Sequence, residues 1–580
     1  MVVKAFQPEK NMKVLAWIGV LTTLAINPWF AFDPINLPKM LILSTGSAYL
    51  LAWLLLHSNV IRPLQPKLLI VCSLFVSTLA ISFLTNPAPW YQQLWGTWGR
   101  STGLITYTSF VVVLLFSFKL ASSASLALTR VTFERLGYFV SVYTLIQLMD
   151  LDPINWSQKL MVATLGNINF MSSFLGLTTI SYTSRVFLER LSVSAKLFFI
   201  FLSTLNIFLI IVSKSIQGLG VYAAGLCLMA TFWLRHNFGV LKSIIFFLFT
   251  LVSGLLVVLG TASIGPLSIL RQETVLFRID YWQAGINMVL ANPFNGVGLD
   301  SYGDYYRQYR TDEAVARTGP QRVTNTAHNI FLDVFSGSGV LAGLLMLFVM
   351  VVTFLAILKV LQSQVRNSDF NAIAAMWLGF VVFCLVSINQ IGVGIWGFIF
   401  MGLINGFADS LKTASTLDQA GLRAAHALDV GKHYAKRKVL VSNEGRFSNI
   451  RIFQHLVSGL IILAVAVLSL APNIGDARFA AAVKSQNLEL AQDLLNDPGM
   501  QDFHSEHLIS ILLEQGNNQG SLNLALSLTK RNPQNWQGWV QIISNPLSSR
   551  AQQNEASENL LRLDPKNELL RRDLETLLSP

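Results

Sequence analysis

Residues 243–262 read SIIFFLFTLVSGLLVVLGTA, a twenty-residue run without a charged side chain. At 1.5 Å of rise per residue, such a helix covers about 30 Å, the thickness of a bilayer's hydrocarbon core. Similar runs recur along all 580 residues, of which 53% are hydrophobic and 13% charged, with a mean hydropathy of +0.51. This composition excludes an ordinary soluble protein and predicts an all-α fold, a polytopic helical membrane protein.

The length rule gives about thirteen spans, twelve in a core of residues 1–410 and a last one at 453–471. They lie near 14–30, 40–56, 68–84, 104–119, 136–149, 168–187, 197–212, 217–234, 243–262, 339–358, 372–388, 394–410 and 454–471. No cleavable leader pattern precedes the first, so it is expected to be retained. The cations alternate between the two sides. One set of loops holds Lys4, Lys10, Lys13, Arg62, Lys67, Lys119, Arg130, Arg135, Arg185, Arg190, Lys196, Arg235, Lys242, Lys359 and Arg366. The opposite short loops hold only Lys39, Arg100, Lys159 and Lys214. The positive-inside rule then makes the N-terminus cytoplasmic and puts a C-terminal tail, 472–580, outside the cytoplasm. It also accounts for the net charge of +11 without a nucleic-acid partner. The basic cytoplasmic linker 411–452, with KHYAKRK at 432–438, suits anionic lipid. Cys72, Cys227 and Cys384 fall singly in apolar runs and read as small buried hydrophobes.

The tail differs in character. LELAQDLLNDPG (488–499), LNLALSLTKRNPQNW (522–536) and ASENLLRLDPKNELL (556–570) set Leu and Ala at helical spacing before a proline-bearing turn. Pro498, Pro533 and Pro565 recur at about the 34-residue period of tetratricopeptide repeats, which predicts a small outer helical-repeat domain and a protein partner for it.

Polar chemistry concentrates in one outer loop, 263–338. Its segment ETVLFRIDYWQAGINMVLANPFNGVGLDSYGDYYRQYR (273–310) begins as a helix that sets Arg278 and Trp282 on one side, four residues apart. Asn292-Pro293 ends that helix, and Gly296 and Gly298 make a tight turn. Arg278 stands on an apolar face without a carboxylate one turn away, which suits an anionic ligand. Tyr302, Tyr305, Tyr306 and Tyr309 interleave with Arg307 and Arg310; this pattern fits either interfacial anchoring or sugar and phosphate recognition. Then comes TNTAHNIFLDVFSGSGVLAG (324–343). With Thr324, Asn325 or Thr326 as N-cap, His328 is expected in the first helical turn, neutral beside the positive end of the helix dipole. Asn329 and Asp333 are near enough to orient its ring. An interfacial histidine bonded to a carbonyl is the bland alternative. No HExxH, paired-cysteine, GxSxG or phosphate-loop pattern is present, so neither metal nor nucleotide cofactor is expected.

Together, FRIDYWQAGINMVLANPFNGVGLDSY and AHNIFLDVFSGSGVLAG resemble the loop signature of the O-antigen ligase and polymerase superfamily. WGTWGRSTGLITY (95–107) and ATLGNINFMSSFLG (163–176) resemble its earlier outer-face motifs. The resemblance covers roughly residues 10–410. It implies a GT-C-like fold and a metal-independent, inverting glycosyltransferase of the cell envelope. The implied donor is a glycan on a polyprenyl diphosphate; the implied acceptor is a glycan, a glycolipid or a protein. His328 takes the place of the family's catalytic histidine and Arg278 that of its loop arginine. Lys214, Arg100, Trp282, Arg307, Arg310, Tyr302 and Asn329 are the expected substrate-binding residues. In one departure, VSKSIQGLG (212–220) lacks the arginine that the family commonly has after its seventh span, and Lys214 or Gln217 stands in its place. A transporter or flippase of lipid-linked saccharides is the rival. It would carry charge within its spans, which are expected here to be nearly charge-free.

Overall fold

The computed structural model describes residues 8–57, 64–154, 156, 160–363, 365–428 and 444–579, with side chains described for all of these except 8, 9 and 412–452. Lys4, Arg62, Lys159 and the KHYAKRK segment lie outside the described residues. The described chain is helical, without a strand. The first half contains α1 (Pro8–Leu24), α2 (Asn36–Leu56), α3 (Pro66–Thr85), the short α4 (Trp90–Trp95), α5 (Leu104–Leu120), α6 (Ser123–Leu148), α7 (Ile168–Leu188), α8 (Val193–Val212), α9 (Gln217–Phe238) and α10 (Val240–Thr261). Three helices form the long loop 263–338: α11 (Glu273–Ala291), α12 (Tyr302–Tyr309) and α13 (Asp312–Thr318). Four long helices follow: α14 (Ile330–Gln362), α15 (Ser368–Val386), α16 (Ile391–Leu428) and α17 (Glu444–Lys484). The tail adds α18 (Leu488–Leu494), α19 (Asp502–Glu514), α20 (Asn518–Arg531), α21 (Trp536–Ser544), α22 (Arg550–Leu563) and α23 (Glu568–Leu578).

Among the described residues, nine helices are long and apolar enough to cross a membrane: α2, α3, α8, α9, α10, α14, α15, α16 and α17. α5 is apolar but shorter, and α1, α6 and α7 complete the thirteen helices on which the expected spans fall. The chain is a polytopic helical membrane protein. Hydrocarbon solvates apolar side chains, so α10 leaves Ile245, Leu248, Phe249 and Val252 exposed, whereas α16 is buried among its neighbours. α16 reaches α5 through the small-residue pair Gly402 and Gly406. A Cβ there would lie 2.3 Å from the carbonyl oxygens of Leu114 and Phe118, so only glycine admits this approach.

Three boundaries need correction. α1 ends at Leu24, six residues before the expected end of the first span, ahead of Asn27-Pro28. α6 starts at Ser123, well before the expected 136, and carries Arg130 and Glu134 into the protein. There Arg130 pairs with Glu134, Glu189 and Asp369, and Arg185 pairs with Glu134 and Glu189. The spans are therefore not nearly charge-free; they hold a buried network whose charges answer one another. Finally, the last span does not stop at 471. α17 runs on through Pro472 to Lys484 as one helix. A proline costs its helix a hydrogen bond four residues back, and the carbonyl deprived here is that of Leu468. The indole Nε1 of Trp95 donates to it at 3.0 Å.

Beyond α17, the tail helices pack in succession around a core that includes Phe479, Leu508, Leu512, Leu528, Trp539 and Leu560. Asn487, Asn517, Asn535 and Asn567 each cap a tail helix by accepting from the backbone N–H three residues on. This tail docks on the loops that join the spans on one face. Asp476 of α17 accepts from the backbone N–H groups of Phe32 (2.7 Å) and Asp33 (3.1 Å), from the Trp98 indole (3.3 Å), and pairs with His504 of α19 (3.0 Å). Tyr91 hydrogen-bonds to Asp502, and Trp98 stacks on Phe503 with ring centroids 3.6 Å apart.

Candidate active site

The SGSG stretch at 336–339 breaks α14. Gly339 has φ +86, and a Cβ there would meet the Phe294 carbonyl oxygen at 2.1 Å. The backbone groups freed by the break bond to the turn after α11. Val297 N–H donates to Ser336 O (2.8 Å), Gly298 N–H to Gly337 O (3.0 Å) and Val340 N–H to Pro293 O (2.8 Å). A broken helix at membrane depth needs such protein partners for its freed backbone. The two signature segments thus interlock and fix α11 against the start of α14.

His328 stands two residues ahead of α14, outside its first turn as that turn actually forms. The N-cap is Asn329, whose Oδ1 accepts from Leu332 N–H at 3.1 Å. His328 itself takes φ +52, a left-handed conformation that is strained for a side-chain-bearing residue. A polar scaffold holds it there. Asp333 accepts from Ala327 N–H (2.8 Å) and from the Thr326 hydroxyl (2.6 Å), and that hydroxyl accepts from His328 N–H (3.2 Å). Asp333 therefore positions the backbone and not the ring, contrary to expectation. The ring stacks on Tyr281 of α11, with centroids 5.6 Å apart and planes 28° apart. Burial, then the charges of Arg278 and Arg100, push the His328 pKa down to about 4, so the imidazole is neutral at pH 7. Neutrality was expected, but it comes from burial and neighbouring cations rather than from a first-turn dipole.

Arg278 is half-buried and has no carboxylate or hydrogen-bond partner among the described residues. Asp280, two residues on, pairs with Arg317 at 3.2 Å instead. Trp282, also half-buried, has a buried Nε1 without a hydrogen-bond partner among the described residues. The sequence reading missed two neighbours. Tyr281 supports the histidine ring, and Arg322 stacks over Phe277 at 4.0 Å, with its charge beside the Tyr281 hydroxyl. Aromatic residues one turn from Arg278 were visible in the sequence; their meeting with residues 322 and 328 across a loop was not.

The other expected binding residues are engaged elsewhere. Arg100 is buried, pairs with Asp300 (2.9 Å) and Asp333 (3.6 Å), and donates to Asn325 O (2.5 Å); it braces the histidine loop from beneath. Tyr302 is buried and donates its hydroxyl to the Tyr281 carbonyl, a prop under α11. Arg310 turns to the tail and makes two 2.7 Å bonds to Asp564. Arg307 joins the same carboxylate at 3.6 Å and stacks over Trp536 at 4.3 Å. Their charge is taken up by the protein. Lys214 is exposed in the α8–α9 turn and joined to none of these residues by an ion pair or hydrogen bond. The structure thus brings together His328, Asn329, Arg278 and Trp282 with Tyr281 and Arg322.

Residues 198–348 match the family model described as O-Antigen ligase. This stretch is similar to the O-antigen ligase family. The match runs from α8 into α14 and encloses Arg278, His328 and the interlocked turns. It points to a membrane glycosyltransferase of the O-antigen ligase or polymerase type. No curated protein matches the chain.

Proposed function

We propose that the ligase domain transfers a glycan from a polyprenyl-diphosphate lipid to a hydroxyl of an acceptor at the outer face of the cytoplasmic membrane. One observation carries this reading: an arginine without a counter-ion, Arg278, lies close enough to a neutral histidine for its charge to depress that histidine's pKa. A cation left half-buried and unpaired is costly unless an anion arrives to meet it. A diphosphate seated between Arg278 and Arg322 supplies that anion. Its negative charge also offsets the cations that hold the His328 pKa down, so donor binding makes the imidazole a better base.

In the transfer step, the acceptor oxygen forms a bond to the anomeric carbon while the bond from that carbon to the diphosphate oxygen breaks. The hydroxyl proton passes to His328, and the electron pair leaves with the diphosphate, whose developing charge Arg278 stabilises. Attack opposite the leaving group inverts the anomeric centre. Guanidinium groups carry the charge, so the reading requires no metal ion. Trp282 Nε1 and the Asn329 amide are the donors assigned to sugar hydroxyls. Cation asymmetry between the loops sets the sidedness, with the N-terminus cytoplasmic and the docked tail outside.

The test is a liposome carrying the purified protein, a lipid-linked glycan and an acceptor, with a chelator present throughout. Transfer with inversion that His328→Ala abolishes supports the reading. Retention of configuration, or full activity in that variant, would overturn it. A transporter would move the lipid-linked glycan across the liposome without forming a new glycosidic bond.

A further inference from the structure

The tail contains a groove that the transfer step does not use. It lies between α19 and α21, encloses about 330 Å³, and is lined by Phe503, Glu506, His507, Ser510, Gln537 and Gln541. That volume is within the range of small-ligand sites. Phe503 and His507, one turn apart on α19, present nearly parallel rings (11°, centroids 5.7 Å apart). Gln537 and Gln541, one turn apart on α21, add two amides, and neither side chain has a hydrogen-bond partner among the described residues. His507 is likewise unbonded, and burial lowers its pKa, which keeps the ring neutral. Glu506 is held by Asn535 Nδ2 at 2.7 Å. Among the described residues no lysine or arginine lines the groove, so nothing there favours a phosphate or another anion.

Flat rings beside neutral, bidentate amides suit a molecule with apolar C–H faces and many uncharged hydroxyls. We infer that this groove is a saccharide-binding subsite that grips a glycan away from the reacting end. The inference rests on the reading that the chain handles glycans. Its placement supports a role in transfer. Phe503 stacks on Trp98, and Trp98 shares a short loop with Arg100, the residue that braces the histidine loop through Asp333 and Asn325. The groove wall and the histidine scaffold are therefore two ends of one packed loop. The distal units of the donor glycan and the acceptor glycan share this chemistry, and either could occupy the groove.

The experiment uses the full chain in lipid nanodiscs. The probe is the saccharide released by mild acid from the host's own surface glycan, and a library of unstructured peptides serves as the competing ligand. Two variants alter the groove: Ser510→Trp fills it, and Gln537→Ala with Gln541→Ala strips its amides. The expected result is saccharide binding that both variants weaken tenfold or more and that His328→Ala leaves intact. Wild-type protein that binds no saccharide, binding that both variants retain, or peptide binding in place of saccharide would each overturn the inference. In transfer assays, a raised KM for the acceptor alone assigns the groove to the acceptor; shorter use of the donor glycan at unchanged acceptor KM assigns it to the donor. Saccharide binding by a protein that performs no transfer would sink the proposed reaction and leave the groove standing. Transfer without groove binding would do the reverse.

Discussion

Arg310 on the long loop places its Nη2 2.7 Å from both carboxylate oxygens of Asp564, 254 residues further along the chain. Both side chains are almost wholly buried, at 1% and 0% exposure. Removing one partner of a buried pair strands the other charge and costs about 3–5 kcal/mol. Asp564→Ala should therefore loosen the tail from the long loop, read as faster proteolysis within 485–579 and a lower melting temperature. The double change Arg310→Met with Asp564→Leu should be milder, because no charge is left stranded.

His328 and Arg278 should fail in different ways. His328→Ala removes the base and should slow transfer by about 10²–10⁴-fold while the donor still binds. His328→Gln should stay equally slow, since an amide hydrogen-bonds but takes up no proton. Arg278→Lys keeps a positive charge but loses the planar fork, and should raise the donor KM more than it lowers kcat. Steady-state kinetics with a lipid-linked donor separates these outcomes.

The acid limb of the activity profile should respond to Arg278. In the free protein the histidine stays neutral down to about pH 4, against an ordinary value of 6.5, because of burial and then Arg278 and Arg100. Taking away the Arg278 charge with Arg278→Gln weakens that effect, so the pKa should rise and protonation should begin at higher pH. The acid limb of kcat/KM should move up in parallel, and an imidazole NMR titration should show the same direction. A limb unmoved by the substitution would show that another group titrates.

Asp304 makes the tail interface less stable as pH rises from acid to neutral. Burial, then the nearby Asp502, push its pKa up to about 7. The unfolded chain releases this proton near 3.8 and the folded one near 7, so stability falls as pH rises through that window and stays reduced above it. Asp304→Asn keeps the shape without the charge. It should raise the melting temperature at pH 8 and leave it nearly unchanged at pH 4.

Helix positions were legible because a bilayer imposes a length, and 243–262 or 372–388 can satisfy it in only one way. The proposed base and the proposed anion-binding arginine stood out because His328 and Arg278 had no local partner to absorb them. Arg307 and Arg310 looked just as unpaired, yet their partner Asp564 lies in a different helix system, and sequence spacing carries no record of such a distant pair. Arg100 was misread for the same reason, since Asp300 and Asp333 reach it only once the long loop folds back. Arg130 looked like a loop cation because, besides Glu134 one turn on, its carboxylates come from Glu189, just after α7, and Asp369 of α15. The last span was expected to end at 471 because the donor that lets α17 run on through Pro472, the Trp95 indole, lies far upstream in the sequence.

α17 is one rod from Glu444 to Lys484, and it carries both the last membrane crossing and Asp476, the anchor of the tail. A helix turns about 100° and rises about 1.5 Å with each residue. Adding one residue between Ser469, which meets Ser44 in the bilayer, and Asp476 would swing the carboxylate to the wrong side of the rod. Phe32, Trp98 and His504 would then all lose it together, and the whole tail would arrive out of phase with the loops it grips. Length is thus fixed here to a single residue, as it is between the teeth of two meshed gears. Such a constraint shows up as intolerance of insertion, even where any one side chain can be exchanged.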